Sequence, residues 1–249
     1  MGGMYAGKIT LVGTETGVGV RNAGQIGASA GEVIVTVDGR LENSGRITST
    51  ARMQIDTQGG VVNPGLLASE GDISVHAASF NNTGGQVQAL GDATIGVGNG
   101  AVDNTASLIR SGKTLSIAAS SVANANTQGA DQGLEGLSID VAASRIDNAS
   151  GAMRASAALT LTGSGTLDNT QGLISSGQSL TVRDADLSVK TLAITNTGGT
   201  LIAGQTLTVD SARLTGDDRG YPAGATSIIE LDSDWVGLSP GGGRLGARW

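Results

Sequence analysis

Residues 61–82 have the sequence VVNPGLLASEGDISVHAASFNN, and this stretch decides the fold. At both of its ends, residues 61–63 and 80–82, an apolar residue is followed by any residue and then by Asn. Between these sites Ile73 and Val75 alternate with polar neighbours. A period of two residues predicts a short β-strand with one buried face, so we expect Ile73 and Val75 to lie in a core.

The same element recurs at intervals close to twenty residues. Successive Asn residues are 21, 20, 19, 22, 20, 24, 21 and 27 positions apart. A repeat of this length holds about three strands and no helix. Stacked repeats pair their strands in parallel and align their apolar side chains in columns. The pattern predicts an all-β, right-handed, single-stranded parallel β-helix of about ten coils, with corners at Asn22, Asn43, Asn63, Asn82, Asn104, Asn124, Asn148, Asn169 and Asn196.

These corner Asn residues have two structural interpretations. In the first, each Asn adopts the left-handed backbone of a turn, which Asn tolerates better than most residues, and its side chain bonds to the local backbone. In the second, the side chains stack from coil to coil and hydrogen-bond to each other. A Gly often follows two places later, as at Gly24, Gly45, Gly65, Gly84 and Gly198. Both interpretations assign the Asn residues a structural role and no ligand.

Composition excludes several classes of protein. The 249 residues include 41 Gly but one Phe, so the core must be thin and aliphatic. The net charge of −7 and the lack of a basic stripe argue against a nucleic-acid partner. There is no Cys, so disulfides and thiolate metal sites are excluded. No apolar run approaches the length of a membrane span. The N-terminus does not resemble a signal peptide, so the chain is either cytosolic or a fragment with its export signal upstream.

Catalytic groups are sparse in this sequence. His76 is the one His, and it follows Val75 on a strand, so we expect it to face solvent. Enzymes with a parallel β-helix need carboxylates clustered on neighbouring coils. The position before the corner Asn carries Glu42, Asp103, Asp147 and Asp168, of which Asp147 and Asp168 alone fall on adjacent coils. We therefore predict no catalytic, cofactor or metal site and no enzyme.

The repeat is interrupted at three places. Polar residues 126–133 and the segment around residues 183–186 lengthen two repeats, and insertions on solenoids collect on one face, where they carry binding or are decorative. After Leu214 the pattern stops, which predicts a shaft over residues 1–214 and a divergent tail over residues 215–249. In one interpretation Ile228, Ile229 and Trp235 of the tail cap the last coil; in the other, the tail has no evolved structure.

Residues 5–22, YAGKITLVGTETGVGVRN, resemble the junction at which the secretion domain of filamentous haemagglutinin-type exoproteins passes into the repeat shaft. We place this junction within residues 1–29, and the resemblance extends over residues 4–214. It implies two-partner secretion, in which an outer-membrane transporter exports the intact protein to the cell surface or medium. The implied function is adhesion, with no receptor indicated. The alternative is the stalk of a contact-dependent inhibition toxin, and a polysaccharide-degrading enzyme is a distant third.

Overall fold

A computed structural model describes residues 2–216 of the chain. Within these residues all regular elements are β-strands, and every strand pairing is parallel. The chain winds through about ten turns, and each turn contributes strands to three faces of a solenoid. This confirms the predicted all-β parallel β-helix. Among the described residues there is no helix long and apolar enough to cross a membrane.

The first face is one sheet of ten short strands, each paired with its equivalents in the turns before and after. Its strands are β1 (Gly3–Ala6), β4 (Gln25–Ala28), β7 (Arg46–Ser49), β10 (Leu66–Ser69), β13 (Gln86–Ala89), β16 (Leu108–Ser111), β18 (Gly133–Gly136), β20 (Ala152–Ala155), β23 (Leu173–Ser176) and β26 (Thr200–Ala203).

The second face contains the strands with the clearest alternation of buried and exposed residues. Its strands are β2 (Ile9–Gly13), β5 (Val33–Val37), β8 (Met53–Thr57), β11 (Ile73–His76), β14 (Ala93–Gly96), β17 (Thr114–Ala123), β19 (Ser138–Asp147), β21 (Leu159–Gly163), β24 (Ser179–Asp184) and β27 (Thr206–Asp210). Ile73 and Val75 are buried, at 1% and 0% exposure, as the period-two pattern predicted.

The third face carries the strands that lead into the Asn corner. They are β3 (Val20–Asn22), β6 (Leu41–Asn43), β9 (Gly60–Val62), β12 (Ser79–Asn81), β15 (Ala101–Asp103), β22 (Thr166–Asp168), β25 (Ala193–Asn196) and β28 (Arg213–Gly216). In two turns β17 and β19 continue without a break from the second face into the third. The second and third faces therefore form one continuous sheet of 18 strands.

The core consists of columns of aliphatic side chains that run along the solenoid. On the third face Val20 pairs with Leu41, Leu41 with Val61, and Val61 with Phe80. Leu41, Val61 and Phe80 are each at most 1% exposed. Each buried aliphatic side chain of this size contributes about 1.5–3 kcal/mol. Since every turn adds the same set, the core lengthens with the chain and needs no large aromatic residues.

The first and last described strands are β1 and β28. Strand β1, within the predicted junction, has four exposed residues and pairs on one side with β4. Strand β28 runs to Gly216, so the last described strand extends past Leu214. The predicted cap formed by Ile228, Ile229 and Trp235 lies outside the described residues.

Candidate functional site

The corner between the third and first faces contains a column of buried Asn side chains. Seven of them are completely buried, namely Asn43, Asn63, Asn82, Asn104, Asn124, Asn148 and Asn169. Asn22 at the first turn is 7% exposed, and Asn196 is partly buried. A buried amide is costly unless both its donors and its acceptor are satisfied.

The column satisfies these groups by bonding each amide to the next. From Asn22 to Asn169, each Nδ2 donates to the Oδ1 of the Asn one turn later, over distances of 2.6–2.9 Å. Each of these Nδ2 groups also donates to a backbone carbonyl in that next turn; for Asn104 the two acceptors are Asn124 Oδ1 at 2.9 Å and the Gly133 carbonyl at 3.2 Å. All eight amide–amide bonds point the same way along the chain. We name this feature the asparagine column.

The left-handed backbone lies two residues after the corner Asn and not at the Asn itself. It occurs at Gly84, Ala106, Asn126, Ser150, Gln171 and Gly198. The corner Asn ends a third-face strand or directly follows one, so its backbone keeps a negative φ while its side chain turns inward. The first interpretation of the corner therefore places the left-handed backbone on the wrong residue. The local backbone bonds that it also predicted are present, as where Asn104 Nδ2 donates to the Ser107 carbonyl at 3.3 Å.

The Gly residues of the corner serve two different purposes. In the short corners the Gly two places after Asn packs against the preceding turn: a Cβ added to Gly45 would lie 2.0 Å from the Gly24 carbonyl oxygen. In the six longer corners that position is left-handed, as at Gly84, and in four of them a crowded Gly comes one residue later. A Cβ on Gly85 would lie 1.8 Å from the Asn63 carbonyl oxygen. The sequence pattern merged these two corner types into one.

Three of the four carboxylates before the Asn cap the turn, whereas the fourth, Glu42, forms ion pairs with Arg40 and Arg21 at 3.4 and 3.8 Å. Asp103, Asp147 and Asp168 each accept the backbone N–H two residues later, at 2.9, 3.0 and 2.9 Å. Asn81 does the same with the Thr83 N–H at 2.9 Å. Asp147 and Asp168 lie side by side on adjacent turns, as predicted. The three Asp carboxylates are accounted for by Asx turns, a local role that an Asp at the start of a predicted turn could have indicated.

His76 faces solvent, as predicted from its place on the strand. Its Nδ1 lies 3.3 Å from Asp56 Oδ1, and its side chain is 61% exposed. Within residues 2–216, no three His, Asp or Glu side chains are placed to hold a metal ion together.

The two insertions leave the solenoid at different corners, so the expectation of a single insertion face is wrong. Residues 126–133 lie at the Asn corner, where Arg154 donates to the carbonyls of Gln128 and Gln132 at 3.3 and 3.1 Å. Arg110 adds ion pairs to Asp131 and Glu135 at 2.9 and 2.7 Å. The second insertion, residues 185–191, leaves the corner between the second and third faces.

Asp184 binds the backbone of the second insertion, and the sequence did not identify it as a functional residue. It is 1% exposed, and its carboxylate accepts the backbone N–H groups of Asp186, Thr191 and Leu192. Burial raises the pKa of Asp184, but these three N–H donors outweigh burial and hold the pKa below its ordinary value. Nothing in the local sequence marks Asp184, because two of its donors come from seven and eight residues further on.

A parallel solenoid of about ten turns, with a continuous buried asparagine column, defines a repeat shaft. The chain belongs to the haemagglutinin repeat family, whose model matches residues 5–45, 44–98, 90–144 and 135–233. This confirms the family resemblance drawn from the sequence. The last match extends to residue 233, beyond the end predicted for the shaft.

Two curated relatives share short stretches with the chain. Toxin CdiA of Yersinia pestis is 56% identical over 72 residues, which are 29% of this chain and 2% of that protein. The tRNA nuclease CdiA-2 of Burkholderia pseudomallei strain 1026b is 53% identical over 45 residues, 18% of this chain and 1% of that protein. The matched stretches are thus a very small part of these long relatives. No solved structure matches the chain.

Proposed function

We propose that this chain is a segment of the shaft of a secreted or cell-surface exoprotein, where it acts as a rigid spacer. The asparagine column carries this proposal: eight consecutive amide bonds tie nine turns together without a gap. Because each turn contacts its neighbours along the axis, the length of the shaft increases with the number of turns. About ten turns at about 4.8 Å give a rod roughly 45 Å long.

Two forms of this function have separate support. The haemagglutinin repeat family favours a shaft that itself takes part in adhesion. The relatives named Toxin CdiA and tRNA nuclease CdiA-2 favour a stalk that presents a toxin. In both forms the intact exoprotein would reach the surface through an outer-membrane two-partner-secretion transporter. The junction-like residues 5–22 support this partner.

An exchange of shaft segments tests the spacer function. The 72-residue stretch of Toxin CdiA that matches this chain would be replaced by the corresponding residues of this chain. We expect the chimaera to be exported and to remain toxic, because the turns stack in the same register. A matched chimaera with one corner Asn of that stretch changed to Asp is the control and should lose toxicity. Loss of toxicity in the unmodified chimaera would contradict the stalk form.

Binding to cells distinguishes the two forms. The purified 249-residue chain, labelled with a fluorophore, would be titrated onto cultured epithelial cells. Saturable binding that unlabelled chain displaces supports the adhesive form. Binding that stays linear with concentration contradicts the adhesive form and leaves the stalk form as the explanation of the shaft.

A further inference from the structure

A shallow groove lies on the outer side of the first face, along the corner that leads to the second face. It runs over the first five turns, from Tyr5 at one end to Leu90 at the other, and has a volume of about 430 Å³. Tyr5 and Leu90 are 68% and 69% exposed, while the floor between them consists of small residues such as Gly27 and Ala68. This volume lies within the range of ligand sites.

The ring of Tyr5 lies beside two glycines, Gly3 of its own strand and Gly27 of the next turn. A Cβ added to Gly3 would lie 2.6 Å from Tyr5 Cε2, and one added to Gly27 would lie 3.2 Å from Tyr5 Cδ1, so a larger residue at either position would shift the ring. The Tyr5 hydroxyl donates to Gln25 Oε1, which fixes the ring across the sheet. The ring is thus held beside the backbone while most of Tyr5 stays open to solvent. A fixed aromatic ring offers apolar area at little entropic cost.

The polar lining of the groove restricts the chemistry of a ligand. Thr48, Thr50 and Gln88 supply hydroxyl and amide groups, and Glu70 is the one charged residue among those that line the groove. An anionic ligand would meet a carboxylate with no cation in the lining to neutralise it. An extended peptide would find no free backbone, because β4, β7 and β10 are paired on both sides.

We propose that this groove binds an uncharged oligosaccharide, which stacks one sugar ring on Tyr5 and runs along the solenoid axis towards Leu90. Sugar rings combine apolar faces with many hydroxyl groups, which matches an exposed aromatic ring beside hydroxyl, amide and carboxylate side chains. Since successive turns lie about 4.8 Å apart, successive sugar units would meet successive turns. A spacer needs no ligand, so this site goes beyond the proposed shaft function.

Calorimetric titration of the full chain with cellotetraose and chitotetraose tests the proposal. We expect saturable binding of at least one of these uncharged sugars, and weakening by about tenfold in Tyr5→Ala, because the stacking ring is lost. Tyr5→Phe keeps the ring and should bind within about twofold of the wild type. Leu187→Ala is the matched control, since Leu187 is 71% exposed but lies in the ninth turn, far from the groove.

A second variant, Ala68→Arg, fills the floor of the groove from the solvent side and should abolish binding. Circular dichroism would show that each variant keeps the β-rich spectrum of the wild type. The proposal is overturned if neither sugar binds at millimolar concentration, or if Tyr5→Ala binds as tightly as the wild type. It is equally overturned if a sulfated heparin tetrasaccharide binds more tightly than both uncharged sugars.

Discussion

The asparagine column and the Asp184 corner solve the same problem with different side chains. At both places a side-chain oxygen accepts hydrogen bonds inside a bend of the chain. An Asn amide also donates, so it can be stacked on its own copies in turn after turn. An ionised Asp only accepts, and two stacked carboxylates would repel each other. Hence Asn fills the repeated position, while the buried Asp184 occurs once and takes its donors from an inserted loop.

The largest effect is expected from a charge placed in the middle of the asparagine column. In Asn104→Asp one carboxylate oxygen would face Asn124 Oδ1 in place of a donor. An unpaired buried charge should lower the free energy of unfolding by about 3–5 kcal/mol. Urea unfolding followed by circular dichroism measures this loss.

The matched control for that variant is Asn81→Asp. Asn81 is exposed, and the structurally equivalent residue one turn later is already Asp103. A surface change of this kind should alter stability by less than about 0.5 kcal/mol. Equal destabilisation by the two variants would show that the column has no special sensitivity to charge.

A smaller and more local loss of stability is expected at the Asp184 corner. Asp184→Ala leaves the backbone N–H groups of Asp186, Thr191 and Leu192 without their acceptor, which costs about 1–3 kcal/mol. Hydrogen exchange should accelerate in residues 185–192 and stay unchanged around Asn104. If the accelerated exchange spread through neighbouring turns, Asp184 would be part of the stacked core and the contrast between the corners would fail.

The contrast also predicts how the two corners respond to acid. The pKa of Asp184 is lowered in the folded protein, so its stabilising contribution is present above the ordinary value of 3.8 and is lost as pH falls through the folded value. The neutral asparagine column does not titrate. The stability difference between wild type and Asp184→Asn should therefore shrink below about pH 3.8, as urea midpoints at several pH values would show. A stability difference that stays constant down to pH 2 would contradict the conclusion that the ionised Asp184 carboxylate stabilises the fold.

Most of the fold follows from the sequence because the repeat places each core residue in an equivalent environment. Val61, Phe80 and the Asn residues after them could be aligned without a structure, since their spacing is regular and parallel stacking brings equal positions together. The direction of the hydrogen bonds between the Asn side chains depends on the rotation of each amide group, and the spacing of the residues does not determine that rotation.

Features that depend on folded loops escaped the sequence analysis for a physical reason. The left-handed residues, among them Ala106, Ser150 and Gln171, have no common residue type. Asp184 becomes distinctive only after residues 185–191 have folded back over it. The groove beside Tyr5 likewise exists because Gly27, twenty-two positions away in sequence, lies one turn below the ring.

The central claim is that successive turns are stacked in register along one axis, and distances between spin labels test it most directly. The chain has no Cys, so labels can be placed selectively on exposed second-face positions. Thr36 would be paired in turn with Ala118, Ala142 and Arg183, which lie four, five and seven turns away in the same outward row. Pulsed electron spin resonance should give separations of about 19, 24 and 34 Å, a constant increment per turn. Distances that fail to grow with the number of turns would contradict the solenoid.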